Sequence, residues 1–290
     1  MCSVIIPAHN ESAVIERCLR AVLRSSEPPA EVLVICNGCT DDTAELASAF
    51  GDPVRVIEAA VASKSGALNV GDEAAGYFPR IYLDADIELS TDALEKMKRV
   101  LCEPGVLAAA PSPLFAVRDS SWSVRAFYRV WRALPYFAGG DMIGSGVYAV
   151  SRSGRARFDR FPSITADDGY VRELFAPHER RTLADTHFTV VAPRQLRHLI
   201  GIKTRSRFGN HELNRWSGGQ LKPKSSHRGA LLALPARRPD LIPSLPVYLY
   251  VVARTSVASR VKHWRRRQHI WERDSSSREI AREQPVATQL

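Results

Sequence analysis

Two carboxylates follow a predicted buried strand in the segment RIYLDADIELS (80–90). Asp84 and Asp86 are two residues apart, so both side chains can be directed at one hard cation beyond the end of the strand. Mg²⁺ and Mn²⁺ are commonly held by one or two carboxylates, while substrate phosphates supply further ligands. The same pair also fits a solvated loop in which one aspartate caps a helix. The spacing alone therefore leaves a divalent-metal site and a polar loop as alternatives.

Further polar groups stand where other predicted strands end. The sequence PAHNE (7–11) closes the first strand, CNGCTDD (36–42) closes the second, and Lys64 opens the loop after the third. In an open parallel sheet, ligands bind outside the carboxyl ends of the strands, so these segments are expected to meet. Lysine at such a place can pair with a diphosphate. Glu11 and Asn37 also fit structural positions, in a helix first turn and in a chain turn respectively.

Short apolar runs must position these groups. Strands are predicted at 2–8, 31–36, 53–59 and 80–86, and helical patterns alternate with them at 10–26, 41–50 and 64–76. This alternation predicts right-handed βαβ units and an α/β fold with a mainly parallel sheet flanked by helices. Beyond residue 105 the pattern is looser. It still predicts strands at 105–113 and 144–151, a helix with an aromatic face at 120–137, and a helix start at 164–175 with Thr165 as its N-cap.

The composition favours a cytoplasmic protein with a large core. The chain has 290 residues, 45% of them hydrophobic, and no uncharged apolar run reaches the roughly 18 residues expected of a membrane span. An odd number of cysteines, five, argues against a disulfide framework and for a reducing compartment. Cys36 and Cys39 have the spacing of half a zinc site or a redox pair. No second pair follows at zinc-site spacing, so a loop with another role is the preferred interpretation.

The C-terminal third is strongly basic. Residues 194–273 contain 18 lysines and arginines against three acids, which favours an anionic partner such as nucleic acid, anionic lipid or a phosphorylated substrate. LIPSLPVYLYVVA (241–253) is uncharged but too short to span a bilayer, and a cluster of basic residues with Trp264 follows it. This combination suits the headgroup region of an anionic membrane, on its inner face. The alternative is a helix packed on the catalytic domain with a solvated basic tail.

Taken in order, the motifs resemble those of the family 2 glycosyltransferases of the GT-A type. That family ends its first strand in a Pro-x-x-Asn-Glu-like sequence (7–11 here) and its second in an Asp-Asp-Gly-Ser-Thr-Asp-like sequence (36–41). A Lys-Gly-Ala-Leu-Asn-like loop (64–69) and an Asp-x-Asp metal motif (84–86) follow. The resemblance is strong over residues 2–100, fair to about 210 and weak beyond.

The resemblance implies a GT-A-type, Rossmann-like fold and an inverting transfer of one sugar from a nucleoside diphosphate sugar to an acceptor hydroxyl. It implies Mg²⁺ or Mn²⁺ as cofactor, held by Asp86 and Asp84. The acceptor, lipid-linked or a small molecule, stays open. The residues expected to bind the nucleotide sugar are Pro7, His9, Glu11, Asn37, Lys64 and Asp84.

The family also has a Glu-Asp pair whose aspartate acts as a base, and Asp167-Asp168 occupies that place. The resemblance therefore implies that Asp168 is the general base, with Asp167 in the acceptor loop together with Gly144 and Ser145. The alternative is that both aspartates only favour a helix N-terminus.

Two departures from the family pattern bear on specificity. Cys36 and Asn37 replace aspartates that commonly contact the base of a uridine nucleotide. An asparagine amide both donates and accepts, so the identity of the nucleotide stays open. The Gln-x-x-Arg-Trp motif of processive polysaccharide synthases is absent from the sequence, which favours a single sugar transfer over polymerisation.

The resemblance divides the chain into a GT-A domain (1–210) and a helical basic C-terminal extension (211–290). Within the first, residues 1–105 form the nucleotide-sugar half and 106–210 the acceptor half.

Three rival functions remain. A sugar-1-phosphate nucleotidyltransferase needs a glycine-rich loop after the first strand, where this chain has PAHNESA. Nucleic-acid binding through VKHWRRRQHIWER (261–273) conflicts with the acidic strand ends, so no nucleic-acid partner is expected. A non-catalytic relative is disfavoured because Asp84, Asp86 and Asp168 are all present.

Overall fold

The computed structural model describes residues 1–134, 146–218 and 228–264. Four parallel strands form one half of its sheet, in the order β3-β2-β1-β4. Their bounds are Ser3–Ala8 (β1), Glu31–Asn37 (β2), Val54–Ala59 (β3) and Arg80–Leu83 (β4). Three helices connect them: Ile15–Leu23 (α1), Thr43–Ser48 (α2) and Lys64–Ala74 (α3). The predicted strands and helices of this half are confirmed.

This half is buried on both faces of the sheet. Along β1, Val4 and Ile6 belong to one hydrophobic cluster with α1, while Ile5 belongs to a second cluster with α3. Covering both faces explains why these strands are nearly continuous apolar runs. Helix α3 lies so close to β1 that a Cβ atom on Gly71 would come within 2.5 Å of the Ile5 side chain. Glycine at position 71 therefore permits this close packing.

The other half of the sheet is mixed. The strands β5 (Glu88–Leu89), β6 (Ala108–Ala116), β7 (Val147–Val150) and β8 (Arg180–Val191) complete the order β3-β2-β1-β4-β7-β6-β8-β5. Strand β7 is antiparallel to β4 and β6, β5 is antiparallel to β8, and β6 and β8 are parallel. The α/β class with a mainly parallel sheet is confirmed. Strand β8 has no continuous apolar run, which explains why its sequence did not predict it.

In the described ranges of the second half and the C-terminal region there are seven helices. They are α4 (Ala93–Val100), α5 (Trp122–Arg132), α6 (Arg152–Arg155), α7 (Asp167–Glu173), α8 (Leu196–Trp216), α9 (Arg228–Arg237) and α10 (Leu245–Trp264). Short 3₁₀ turns lie at Pro177–Glu179 and Pro239–Ser244. The expected domain boundary at 210 lies inside α8, so a division there would cut a continuous helix.

A buried ion cluster joins α3 to β4 and α6. The Asp72 carboxylate accepts hydrogen bonds from Arg80 Nη1 at 2.6 Å, Arg155 Nε at 2.6 Å and the Tyr82 hydroxyl at 2.5 Å. Asp72 is only 3% exposed. Because both arginines share one buried acid, the cluster fixes the position of α3 against the strand that precedes Asp84.

One helical segment, Pro239–Val261, is long and apolar enough to cross a membrane by length and composition, with a mean hydropathy of 1.3. The sequence did not predict a span here because Arg254 interrupts the uncharged run. One face of the segment packs on the protein, through Leu241, Val251, Thr255 and Ser259. The segment therefore has the length and composition of a membrane span, while one of its faces is buried in the protein.

Candidate active site

Lys64 brings together two acidic segments that lie far apart in the sequence. Its ammonium Nζ is 2.7 Å from Asp84 Oδ1, at the end of β4, and 2.9 Å from Asp167 Oδ1, in the first turn of α7. Lys64 is the first residue of α3, and the hydroxyl of Ser63 caps that helix by accepting a hydrogen bond from the Gly66 N–H. The helix cap and the two ion pairs thus hold the lysine at the carboxyl edge of the sheet.

The charges in this cluster shift one another's pKa values. Although burial disfavours a charged amine, the carboxylates of Asp167 and Asp84 raise the pKa of Lys64, so it remains a cation. Burial raises the pKa of Asp84 to about 6, and the Lys64 ammonium opposes that shift. Strongly shifted pKa values in a cleft are typical of functional sites.

Asp84 is held by backbone as well as by Lys64. Its N–H donates to the Gly146 carbonyl at 2.7 Å, at the start of β7. Gly146 has a φ of +105°, and a Cβ there would lie 3.3 Å from Asp84 Oδ2. A side chain at 146 would be strained and would crowd the aspartate, so the position requires glycine.

Asp86 lies in the turn between β4 and β5. Its backbone carbonyl accepts a hydrogen bond from Arg17 Nη2 at 3.5 Å, and Arg17 Nε pairs with Glu88 at 2.7 Å. Within the described part of the chain, no hydrogen bond or ion pair to the Asp86 carboxylate is found. This carboxylate is therefore available for a ligand.

The donor set at the end of β4 fits Mg²⁺ or Mn²⁺. Asp84 and Asp86 offer carboxylate oxygens, which these hard cations prefer. Among the described residues, no group of three or more His, Cys, Asp or Glu side chains is arranged to hold a metal ion. Two protein carboxylates with further ligands from a bound phosphate is the usual arrangement for Mg²⁺.

Asp167 and Asp168 differ sharply in their surroundings. Asp167 is buried and is fixed by Lys64 and by the Tyr148 hydroxyl, which donates to its Oδ2 at 3.2 Å. Asp168 is half-buried, and in the described residues its carboxylate accepts only from the Gly169 N–H, at 2.7 Å. Burial and the neighbouring Asp167 charge raise the pKa of Asp168. A carboxylate with a raised pKa and no ion pair is suited to accept a proton.

The loop before this acidic pair is anchored by α8. Thr165 is not the N-cap of α7, which is Ala166. Instead, the Thr165 N–H and hydroxyl both donate to Glu212 Oε2, at 3.1 and 2.7 Å. Gly209 of α8 lets the loop approach closely, since a Cβ there would lie 3.2 Å from the Ala166 side chain. No local pattern in the sequence signals the roles of Glu212 and Tyr148, and neither was predicted.

Asn37 makes structural contacts at the end of β2. It is fully buried, its Nδ2 donates to the Ala8 carbonyl at 2.8 Å, and its Oδ1 accepts from the Ser63 N–H at 3.0 Å. The amide therefore joins β1 to the residue that caps α3. A contact between Asn37 and the nucleotide stays a prediction.

The other predicted nucleotide-binding residues surround the end of β1. His9 Nδ1 lies 2.7 Å from the Asn37 carbonyl oxygen, and Pro7 and Glu11 are buried. The Glu11 N–H donates to the Thr43 hydroxyl at 2.8 Å. Their contacts with a nucleotide stay predictions. Gly144 and Ser145, expected in the acceptor loop, lie outside the described residues.

Cys39 lies at the same edge of the sheet, where its neighbours polarise its thiol. A hydrogen bond from the Cys36 thiol lowers the pKa of Cys39, and the Asn10 N–H also donates to its Sγ, at 3.4 Å. Both cysteines are free. A lowered pKa favours the thiolate, the form that reacts with electrophiles.

Cys39 is expected to be alkylated by iodoacetamide several-fold faster than Cys102 at pH 7, because an ordinary thiol is only a few per cent thiolate there. Cys102 is the matched control, since it is free and exposed. Peptide mapping by mass spectrometry measures both rates, and a nucleoside diphosphate should slow only the reaction of Cys39. Faster labelling of Cys102 would show that Cys39 is not activated.

Known proteins are similar to part of the chain, two curated glycosyltransferases among them. Glycosyltransferase AglE of Haloferax volcanii is 33% identical over 110 residues, which cover 36% of this chain and 36% of the relative. The uncharacterized glycosyltransferase YibD of Escherichia coli is 26% identical over 136 residues, 46% of this chain and 38% of the relative. The chain thus spans less than half the length of these relatives.

Solved structures resemble the chain over more of its length. A mannosyltransferase from Pyrobaculum calidifontis, in complex with GDP-Man and Mn²⁺, has a TM-score of 0.65 at 19% identity, covering 92% of this chain and 88% of its own. Glucosyl-3-phosphoglycerate synthase from Mycobacterium tuberculosis, in complex with Mn²⁺, UDP and glucosyl-3-phosphoglycerate, has a TM-score of 0.55 at 21% identity, covering 78% and 81%. These likenesses show that the fold is of the GT-A type.

The sequence match to a protein family covers more of the chain than the sequence matches to single proteins do. The family model for glycosyl transferase family 2 matches residues 3–160, from the first residue of β1 to beyond α6. That segment is more than half of the chain, and it includes Lys64, Asp84 and Asp86. The chain belongs to glycosyl transferase family 2.

Proposed function

We propose that this protein transfers one sugar from a nucleoside diphosphate sugar to an acceptor hydroxyl, with inversion at the anomeric carbon. The observation that carries the proposal is the Lys64 bridge, which brings Asp84 and the Asp167-Asp168 pair together at one edge of the sheet, where we place the substrate cleft. Family membership supports the reaction class. The structural relatives bound to GDP-Man, UDP and Mn²⁺ support a nucleotide-sugar donor and a divalent cation.

Asp168 is the group best placed to act as the base. In an inverting transfer, the acceptor oxygen attacks the anomeric carbon from the face opposite the leaving diphosphate and must lose its proton. The Asp168 carboxylate takes that proton, the acceptor oxygen forms the new glycosidic bond, and the diphosphate leaves with the electron pair of the broken bond. Asp167 cannot serve equally well because Lys64 and Tyr148 already bind it.

The donor end of the cleft must accommodate a charged leaving group. Asp86 and Asp84 would hold a divalent cation there, which would offset the negative charge that develops on the diphosphate. Lys64 keeps Asp84 in place and supplies a further positive charge at this edge. The nucleotide base stays open, because Cys36 and Asn37 stand where the family commonly has aspartates that contact uridine.

The rival functions are less well supported. A nucleotidyltransferase would need a glycine-rich phosphate loop after β1, and residues 7–13 contain no glycine. A nucleic-acid-binding role would not explain why acidic residues cluster at this edge of the sheet. Release of free nucleoside diphosphate from a nucleotide sugar, without pyrophosphate release from a nucleoside triphosphate, is the outcome that separates the proposed activity from both.

Calorimetric titration with UDP, GDP, dTDP and CMP, each with and without Mn²⁺, tests the donor site. One of these nucleotides is expected to bind, and Mn²⁺ should strengthen that binding. Failure of all four in the presence of Mn²⁺ would contradict a nucleotide-sugar site.

Asp86→Ala is expected to weaken Mn²⁺-dependent nucleotide binding by at least about tenfold, because the carboxylate directed at the cation is lost. Asp119→Ala removes an exposed acid in the turn before α5 and is the matched control. Nucleotide affinity and donor hydrolysis, each measured against Mn²⁺ concentration, give the readout. Unchanged metal dependence in Asp86→Ala would rule out this assignment.

A further inference from the structure

Helix α10 has two faces of different character. On the inner face, Val251, Thr255 and Ser259 recur every four residues and are almost fully buried against the protein. This face packs on α8 and α5. The Tyr248 ring stacks on Phe127 of α5, with ring centroids 5.3 Å apart. The helix is therefore an integral part of the folded chain along this side.

One polar contact between α8 and α10 adds to the packing of this helix on the domain. The Arg207 guanidinium of α8 donates to the Ser256 hydroxyl at 2.8 Å. The Thr255 hydroxyl donates to the backbone carbonyl of Val251 at 2.8 Å, within the helix. A helix that crossed a bilayer alone would have to give up the Arg207 bond and the aromatic stacking. The packing thus favours a helix that stays on the domain over one that spans a membrane.

The outer face is apolar and, among the residues that the structure describes, exposed. It is formed by Pro246, Leu249, Tyr250, Ala253, Val257 and Val261, which lie on one side of the helix at α-helical spacing. The four largest of these side chains are 43% to 57% exposed. A continuous exposed apolar surface of this kind is typical of an interaction site, whereas single exposed apolar residues are not.

The charges beside this face indicate that its partner is anionic. Arg254 and Arg260 are exposed beside the apolar residues, and the sequence has no acid between Asp240 and Glu272. In the same interval it continues with Lys262, Arg265, Arg266 and Arg267. An apolar stripe with basic residues and no acids is suited to the boundary between acyl chains and anionic headgroups.

We propose that the outer face of α10 docks on the surface of a membrane containing anionic lipid, with the helix lying parallel to that surface. The inner face stays packed on α8 and α5 during docking. Long arginine side chains bury their aliphatic stems along the apolar surface and keep their charges at the headgroups. The proposal concerns a surface outside the cleft and does not depend on the proposed sugar transfer.

Co-sedimentation with vesicles tests the proposal. The full chain is expected to sediment with phosphatidylcholine vesicles that contain phosphatidylglycerol, and to stay in the supernatant with phosphatidylcholine alone. The combined variant Leu249→Ser, Val257→Ser, Val261→Ser should bind at least about tenfold more weakly, since it loses most of the apolar contact. Val61→Ser, which removes an exposed valine from the loop before α3, should bind like the unchanged protein.

Four outcomes would overturn the proposal. In the first, the protein stays in the supernatant at low salt, and in the second, the triple variant sediments normally. In the third, alkaline carbonate does not extract the protein from the vesicles. In the fourth, the protein is a dimer and the triple variant is not. The third would indicate a spanning helix, and the fourth, measured by analytical ultracentrifugation, would indicate a second copy on this face. Circular dichroism checks that the variant is folded. Nucleotide binding, measured in parallel, separates failure here from failure of the proposed function.

Discussion

Replacing Asp168 with asparagine is expected to lower sugar transfer by at least about 100-fold, the effect of losing a general base. Asparagine has nearly the same shape and can still accept from the Gly169 N–H, so the start of α7 should be preserved. Nucleotide affinity should change little, because Asp168 makes neither of the Lys64 ion pairs. The measurements are the transfer rate with a donor and acceptor found by mass-spectrometric screening, and calorimetric binding of the nucleotide.

Asp167→Asn is the matched comparison, since it is the adjacent residue in the same turn. It removes one of the two carboxylates that bind Lys64 and weakens the hydrogen bond from Tyr148, so it should cost less than Asp168→Asn. A product with inverted anomeric configuration is also expected. Near-normal transfer by Asp168→Asn, or a product with retained configuration, would remove Asp168 from the role of base.

Asp72→Ala is expected to lower the free energy of unfolding by about 3 to 5 kcal/mol, because it leaves two partly buried guanidinium groups without their shared counterion. The side chains of Arg80 and Arg155 are only 13% and 15% exposed, so water compensates poorly for the lost acid. The Tyr82 hydroxyl loses its acceptor as well. Urea denaturation followed by circular dichroism measures the change.

Glu73→Ala is the control for this prediction, because Glu73 is the next residue of α3 and pairs with Arg160 in solvent. Exposed ion pairs contribute little, so this substitution should cost less than about 1 kcal/mol. Equal losses in the two variants would mean that the buried cluster does not stabilise α3 against β4 more than a surface pair does.

The sequence predicted the first half of the fold well because its signals are local. Continuous apolar runs determine β1 to β4, and the polar residues at their ends must meet wherever parallel strands lie side by side. Lys64 and Asp84 were expected at this common edge, but their ion pair was not predicted, because Lys64 was expected to meet a diphosphate. Strand β8 escaped prediction because its partly exposed sequence is determined by pairing with β6 and β5 and by no pattern of its own.

The details of the acidic pair depend on contacts between residues distant in sequence. Nothing near Thr165 indicates that Glu212, 47 positions later, accepts both of its hydrogen bonds. Asn37 shows the opposite difficulty: its type and position suit ligand binding, but an amide can equally satisfy buried backbone groups. Its hydrogen bond from the Ser63 N–H is a tertiary contact, which the local sequence does not signal.

The Lys64 bridge also has a consequence for the order in which ligands arrive. One ammonium faces the carboxylates of Asp84 and Asp167, with Asp86 and Asp168 close by in the chain, so the cleft keeps an excess of negative charge. A bare nucleotide sugar, whose diphosphate is anionic, meets electrostatic repulsion there, whereas its complex with a divalent cation carries no net charge and is not repelled. The proposed donor is therefore expected to enter as its cation complex, at an association rate that changes little with ionic strength, while the rate for the metal-free nucleotide rises as salt screens the repulsion.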